Sequence, residues 1–330
     1  MAPMADLDAL VEAVRSAPGL LGKRDVQLIE RLAAPIDGDD AALVPHRGAY
    51  LVVCGEAMSP PFVAADPFGA GAAAVVTNVS DVRAMGGRPL ALVDMLVSPD
   101  HAHAEQALDG IAWASGLLGV PVVGGHVTIG HPPALSASCT GETSRPLRAS
   151  AARPGDVLLA AFALDGRWMS ETQPFWTSLH DRPAERLRDD GEALVEVAER
   201  GLCHAARDVS MPGIAGSLLQ LLEVAGCGAV LDTEAIPRPE TAPLDRWLLT
   251  FPSFGYLLAA PESNVRDACA VFERRGLACA PCGELDASGV LRLAAGGREA
   301  PVWDLRSTPL TGLAEGAGPG AAAGSPSAGA

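Results

Sequence analysis

Lysine is almost absent from this chain. Of its 24 basic side chains, Lys23 is the only lysine, and all the others are arginine. An ammonium is a compact point charge whose pKa responds to its surroundings, which arginine cannot imitate. The one lysine is therefore either a functional group or a surface survivor. Aromatic residues are also scarce, at 4%, so the 48% of apolar residues must build the interior from Ala, Val and Leu. There is no basic surplus. The formal net charge is −16, which leaves nothing to neutralise a phosphate backbone and excludes nucleic acid as an expected partner. No apolar run reaches the roughly 18–20 residues of a membrane span, and no basic stretch followed by an apolar one opens the chain. No membrane association is expected, and the location expected is cytoplasmic. Walker, GxGxxG and protein-kinase signatures are all missing, so no standard nucleotide fold is supported. Cys279-Ala280-Pro281-Cys282 is the single CxxC, without a second pair or neighbouring histidines. With the other cysteines scattered among apolar neighbours, structural thiols are expected.

Against these absences stands one well-marked helix. Asp66 can cap free backbone N–H groups and Pro67 suits the first helical position. A Gly/Ala run follows, and Gly86-Gly87 closes the helix. Asn78, Asp81 and Met85 recur at spacings of three and four and share one face. An amide and a carboxylate on a small, apolar helix point either to a metal–phosphate site or to an internal hydrogen-bond pair. The Gly/Ala surface suggests close packing against a sheet.

The 330 residues allow one large domain or two ordinary ones. Apolar spacing over 5–33 predicts two helices, with Leu28, Ile29 and Leu32 on the buried side of the second. The flexible segment Pro18-Gly19-Leu20-Leu21-Gly22-Lys23 lies between them. Asp37-Gly38-Asp39-Asp40 is an acidic turn leading into a strand, and Tyr50–Cys54 is a second strand ending at Gly55-Glu56. A strand at 90–98, a helix at 102–119 and a Gly-Gly-His turn at 124–126 follow. Arg153-Pro154-Gly155-Asp156 marks a boundary. Beyond it the pattern of strands then helices repeats, with a strand expected over 247–260 and a loop-like stretch at 165–183 holding Arg167, Trp168, Trp176 and His180. The expected organisation is a helical segment at 1–37, domains at 38–150 and 151–312, and a disordered tail at 313–330. The fold class is α+β in two domains.

Asp39, Asp40, Glu56, Asp81, Asp94 and Asp208 all lie at strand or helix ends or beside small residues. Converging carboxylates suit Mg²⁺, a hard cation commonly shared with substrate phosphates, although turn aspartates often have no ligand at all. The order Gly38-Asp39-Asp40-Ala41-Ala42, then Asn78-Val79-Ser80-Asp81-Val82-Arg83-Ala84-Met85-Gly86-Gly87, then Gly124-Gly125-His126, then Asp208-Val209-Ser210, resembles the aminoimidazole ribonucleotide synthetase-related, PurM-like superfamily. That superfamily includes selenophosphate synthetase and thiamine-monophosphate kinase. The wording is nearest to selenophosphate synthetase, but without its reactive cysteine, since Gly22 precedes Lys23. Glu56 stands where the relatives carry aspartate.

The resemblance implies an N-terminal ATP-binding domain that pairs across a homodimer into a β-barrel, and a C-terminal α/β sandwich. It implies ATP and Mg²⁺ as cofactors, with Asp39, Asp40, Glu56, Asp81 and Asp208 as metal ligands and Asn78 as a nucleotide contact. Gly124, Gly125 and Thr128 would belong to a phosphate-facing loop. Lys23 would stabilise the transferred phosphoryl group, and His126 would donate to phosphate or shuttle a proton. A small acceptor is expected near Arg167, Trp168, Trp176 and His180. The activity implied is phosphoryl transfer to that acceptor, by a kinase or synthetase. A selenophosphate synthetase-like or thiamine-monophosphate kinase-like reaction and a non-catalytic nucleotide-binding scaffold are the rivals.

Overall fold

Asp66 caps the central helix as its sequence requires. Its Oδ1 accepts the Gly69 N–H at 2.8 Å, and Pro67 occupies the first turn. The structure, a computed structural model, describes residues 6–32, 38–171 and 174–313. Asp37, part of the expected 1–37 segment, and the expected tail beyond Leu313 lie outside the described residues.

In chain order, α1 (Leu7–Arg15) and α2 (Pro18–Leu21) lead into a 3₁₀ stretch, Gly22–Arg31. Next come β1 (Ala42–His46), β2 (Ala49–Ala57), α3 (Pro60–Ala65), α4 (Pro67–Ala84) and β3 (Arg88–Ser98). They are followed by α5 (His101–Leu118), β4 (Val122–Ile129) and β5 (Ala134–Thr143). The second half holds β6 (Val157–Phe162), β7 (Arg167–Trp168), β8 (Phe175–Thr177), α6 (Ala184–Glu199), β9 (Ala205–Asp208) and α7 (Gly213–Ala225). It continues with β10 (Gly228–Asp232), α8 (Leu244–Leu248), β11 (Phe251–Pro252), β12 (Gly255–Ala260) and α9 (Val265–Glu273). It ends with β13 (Ala278–Asp286), β14 (Val290–Ala295) and β15 (Arg298–Asp304).

The fold is α+β in two units. Among the described residues, the first sheet runs β1-β2-β5-β3-β4 and is open, with β1 and β4 as its edges, so it is no closed barrel within one chain. Helices α4 and α5 cover one face through Val75, Val79, Val82 and Ile111. Among the described residues no helix covers the other face, and Val44, Val53, Val93 and Met95 are exposed there. The second sheet runs β15-β14-β10-β13-β6-β12-β9 and carries an apolar layer on each face. One layer holds α1 and α7, the other α6 and α9. Helix α1 therefore belongs spatially to the C-terminal unit, where Leu7, Leu10, Val11 and Val14 are buried.

Three expectations need correction. Gly71 of α4 meets α5 rather than the sheet. A Cβ on Gly71 would lie 2.1 Å from the Ala107 carbonyl oxygen, and one on Gly110 would lie 2.0 Å from that of Phe68. Since both obstacles are backbone, neither helix can yield by a rotamer change. Gly110→Val is expected to cost at least about 3 kcal/mol, read as a lower midpoint of urea unfolding. The strand expected over 247–260 is interrupted, because Pro243 starts the short helix α8 and buries Trp247 before β12 begins. The second N-terminal helix is instead the 3₁₀ stretch Gly22–Arg31, with Leu28, Ile29 and Leu32 exposed rather than packed.

Candidate functional site

The two units meet where α4 delivers Asp81 beside β9, which ends in Asp208. Tyr256 of β12 lies opposite Asp208 in register, fixing that edge strand to the C-terminal sheet. The acidic turn before β1 closes over the same place. Asp40, Asp81 and Asp208 bring carboxylate oxygens within 4.8 Å of one another. Residues 168 positions apart in the chain are held there by direct bonds: Asp40 Oδ2 accepts the Asp208 N–H at 3.0 Å, and Asp40 Oδ1 pairs with Arg207 at 3.1 Å. Arg207 also donates to the Gly38 carbonyl at 3.0 Å, so one guanidinium holds the turn to β9.

The electrostatics of the trio are unfavourable without a cation. Asp81 and Asp208 are buried, and Oδ2 of Asp81 has no hydrogen-bond partner among the described residues. Burial pushes the Asp81 carboxyl well above the usual range. The charges of Asp208, Asp40 and Glu56 push it further, and Lys23 pulls it back. Asp208 is raised chiefly by burial and then by Asp40, with Arg207 and Lys23 opposing. Glu56, at the exposed end of β2, is not one of the trio. Neighbouring atoms still crowd its carboxyl enough to raise it, while Lys23 lowers it and Asp40 raises it. Lys23 is partly buried, and its positive charge opposes the rise at Glu56, Asp81 and Asp208. Hard oxygen donors from three separate stretches, one with an unused oxygen, fit a divalent cation such as Mg²⁺.

The remaining sequence candidates fall elsewhere. Asp39 Oδ1 accepts the Ala149 N–H at 2.8 Å, tying the acidic turn to the domain junction. Asn78 is fully buried. Its Nδ2 donates to the Ala74 carbonyl at 2.8 Å, and its Oδ1 faces the Cys54 thiol at 3.5 Å. Asn78 is thus satisfied internally, whereas Asp81 on the same face is not. Gly124, Gly125 and Thr128 are not in a loop, because Val122–Ile129 pairs in parallel with β3 as an edge strand. The register sets His126 beside Met95 on the helix-free face, away from the carboxylates of its own chain.

The aromatic stretch is largely structural. Trp168, Trp176 and Trp247 pack edge-to-face, and Trp176 Nε1 donates to the Ala163 carbonyl at 3.0 Å. His180 stacks on Trp113 with ring centroids 4.8 Å apart, and Arg167 pairs with Asp181 at 3.3 Å. Sequence reading missed Arg207, although its position next to Asp208 was a usable signal.

A family model described as "AIR synthase related protein, N-terminal domain" matches residues 38–143, and its C-terminal counterpart matches residues 154–296. The chain belongs to the AIR synthase-related family. An uncharacterized protein of Synechocystis sp. is 35% identical over 317 residues, covering 93% of this chain and 98% of that relative. Phosphoribosylformylglycinamidine synthase subunit PurL of Thermus thermophilus is 28% identical over 286 residues, covering 76% of this chain and 39% of the relative. Among solved structures, Thermotoga maritima PurL complexed with ATP has a TM-score of 0.75 at 21% identity, over 90% of this chain and 51% of that one. AaThiL complexed with AMPPCP and TMP has a TM-score of 0.65 at 19% identity, over 83% and 92%. This AIR synthase-related chain thus spans about half the length of the PurL structure, and the two structural likenesses establish the fold. Among its described residues, no helix is long and apolar enough to cross a membrane.

Proposed function

We propose that the chain is an ATP- and Mg²⁺-dependent enzyme that phosphorylates a small acceptor or activates one of its oxygens for displacement. The observation that carries this reading is the closure of Asp40, Asp81 and Asp208 within 4.8 Å at the domain junction, with an unpartnered oxygen on Asp81. The names of the structural neighbours agree with it, since PurL is described in complex with ATP, ADP and AMPPCP, and AaThiL with AMPPCP and TMP. Asp40, Asp81 and Asp208 hold Mg²⁺, with Glu56 and Asp39 at the margin of its site. A Mg²⁺ ion held there would supply charge neutralisation for the phosphates. Lys23 supplies a fixed positive charge, and Arg207 holds Asp40 in place. Asn78 acts by fixing α4 against Cys54 of β2.

The test is ATP consumption by the purified protein with a panel of acceptors, followed by phosphorus NMR. ADP formed with a phosphorylated acceptor or one phosphate supports the reading. AMP plus phosphate indicates the selenophosphate synthetase type of stoichiometry. Tight nucleotide binding without turnover across the panel overturns it in favour of a scaffold.

Metal binding has a pH signature. The raised folded-state values of Asp81 and Asp208 make their stabilising contribution fully present below about pH 4, their unfolded range. That contribution is lost as pH rises through the raised values, because clustered negative charge then accumulates. Mg²⁺ relieves the repulsion and must compete with protons at lower pH. Its stabilisation should therefore be larger at about pH 8 than at about pH 5, as scanning fluorimetry would show. Equal shifts at both would contradict the assignment.

The helix-free face of the first sheet is proposed to pair with a second copy, which would close the open sheets into a barrel and bring Gly124, His126 and Thr128 to the interface. Exposed Val44, Val53, Val93 and Met95 support this, as does the match of this chain to about half of the PurL structure. Met95→Lys is expected to convert a dimer to a monomer in analytical ultracentrifugation.

A further inference from the structure

The stretch that carries Lys23 has little to hold it in place. A 3₁₀ run of 10 residues is long for that geometry, and Leu28 and Ile29 within it are exposed. Upstream it has one firm anchor: Leu20 is fully buried, and Gly19 lies so close to the Met211 carbonyl that a Cβ would stand 2.1 Å from its oxygen.

Downstream, its contacts are with the C-terminal end of the fold. The Arg24 guanidinium lies 5.5 Å from the Trp303 ring centroid. The Gln27 amide reaches Gly312, where a Cβ would be 2.9 Å from Nε2. The acidic turn rests on the same segment, since Gly38 packs against Leu313 and against Val224 of α7.

Leu310, Thr311 and Leu313 are buried, Leu310 within the apolar core, and the polar groups of the segment converge on one side chain. Glu223 of α7 is buried, and its carboxylate accepts the Leu310 N–H at 2.6 Å, the Thr311 N–H at 2.9 Å, the Gly312 N–H at 3.2 Å and the Thr311 hydroxyl at 2.5 Å. Gly312, at a φ of 75°, lets the backbone turn its N–H groups inward around the carboxylate. A carboxylate receiving convergent N–H donors is a strong, directional anchor, and losing it would strand several buried N–H groups at once.

We propose that Glu223 and the strap 310–313 form a latch that holds the Lys23 segment and the Asp39–Asp40 turn in register, which makes Glu223 a positioning residue for the reaction. Its catalytic consequence rests on the phosphoryl-transfer reading; the mechanical link does not. The latch explains how a cation on a poorly packed stretch keeps a fixed distance to carboxylates borne by other elements. Thr311 shares the carboxylate through both its N–H and its hydroxyl, so the latch can be weakened from either side.

Two measurements test it. Hydrogen exchange compares the full-length chain with Glu223→Ala. The expected result is a protection loss of about 10-fold or more in 22–31 and 38–41 together with 305–313, while α4 stays protected. Loss confined to 305–313 would overturn the proposal. If Glu223→Ala does not fold, Glu223→Gln and Thr311→Val give the same readout with smaller perturbation.

The second measurement is a double-mutant cycle on turnover. Glu223→Ala is expected to lower turnover about 10- to 100-fold, and to lower it far less once Lys23 is already Ala. Multiplicative losses would show that Glu223 acts independently of Lys23 and would overturn the proposal. If the unmodified protein turns over no ATP with any acceptor, the functional reading fails, while hydrogen exchange still decides the latch.

Discussion

Asp81→Asn should cut turnover about 10³-fold while making the cation-free protein more stable. Asp81 is buried, carries an oxygen without a partner and faces the charges of Asp208, Asp40 and Glu56. Its carboxylate is therefore kept at a cost in folding, as is expected of a group selected for a ligand rather than for packing. An amide of the same shape removes one charge and offers an N–H to the neighbouring carboxylates. The melting temperature without divalent cation should rise by roughly 2 °C or more, corresponding to about 1 kcal/mol. Mg²⁺-dependent turnover should fall about 10³-fold, because a metal ligand contributes several kcal/mol to stabilising transferring charge. A variant that loses stability and keeps activity would show Asp81 to be structural.

Lys23→Ala comes second in expected size. Lys23 is partly buried, and its positive charge lowers the carboxyl pKa values of Glu56, Asp81 and Asp208. Removing an oriented charge near developing phosphoryl charge is expected to lower kcat about 10²- to 10³-fold. Mg²⁺-ATP affinity should change much less, because the metal ligands remain. Lys23→Arg should recover only part of the loss, since a planar guanidinium cannot occupy the place of a compact ammonium. Steady-state kinetics on the two variants would separate kcat from KM. Full turnover in Lys23→Ala would show that the lone lysine has no catalytic role.

The parts of the molecule that could be read from the sequence are those governed by local chemistry. Asp66, Pro67 and Gly86 marked the ends of α4 because caps and breakers act within one turn. The spacing of Asn78, Asp81 and Met85 placed all three on one face, and all three are buried. It could not say that Asn78 turns to Cys54 while Asp81 turns to Asp208, because those partners come from β2 and β9. Gly124 and Gly125 read as a turn from composition alone, yet pairing with β3 draws them into an edge strand.

Long-range features left weaker traces. The packing of α1 onto β15 rather than onto the domain that follows it in the chain has no signal in periodicity, which reports that a face is buried but not against what. Arg207 looked like one arginine among many until register brought it to Asp40 and Gly38. The Glu223 latch was equally invisible, because its donors are mostly backbone N–H groups of a segment 87–89 residues away. The acidic constellation was legible as a list of residues, and the domain junction turned three of them into a cluster.

Calorimetric titration of ATP into the wild-type protein, with Mg²⁺ and again with a chelator in its place, tests the central claim most directly. ATP should bind in the presence of Mg²⁺ and lose nearly all affinity without it, since Asp40, Asp81 and Asp208 would then face the phosphates as bare negative charge. Equal affinity under the two conditions would contradict the assignment of the carboxylate cluster as the Mg²⁺-ATP site.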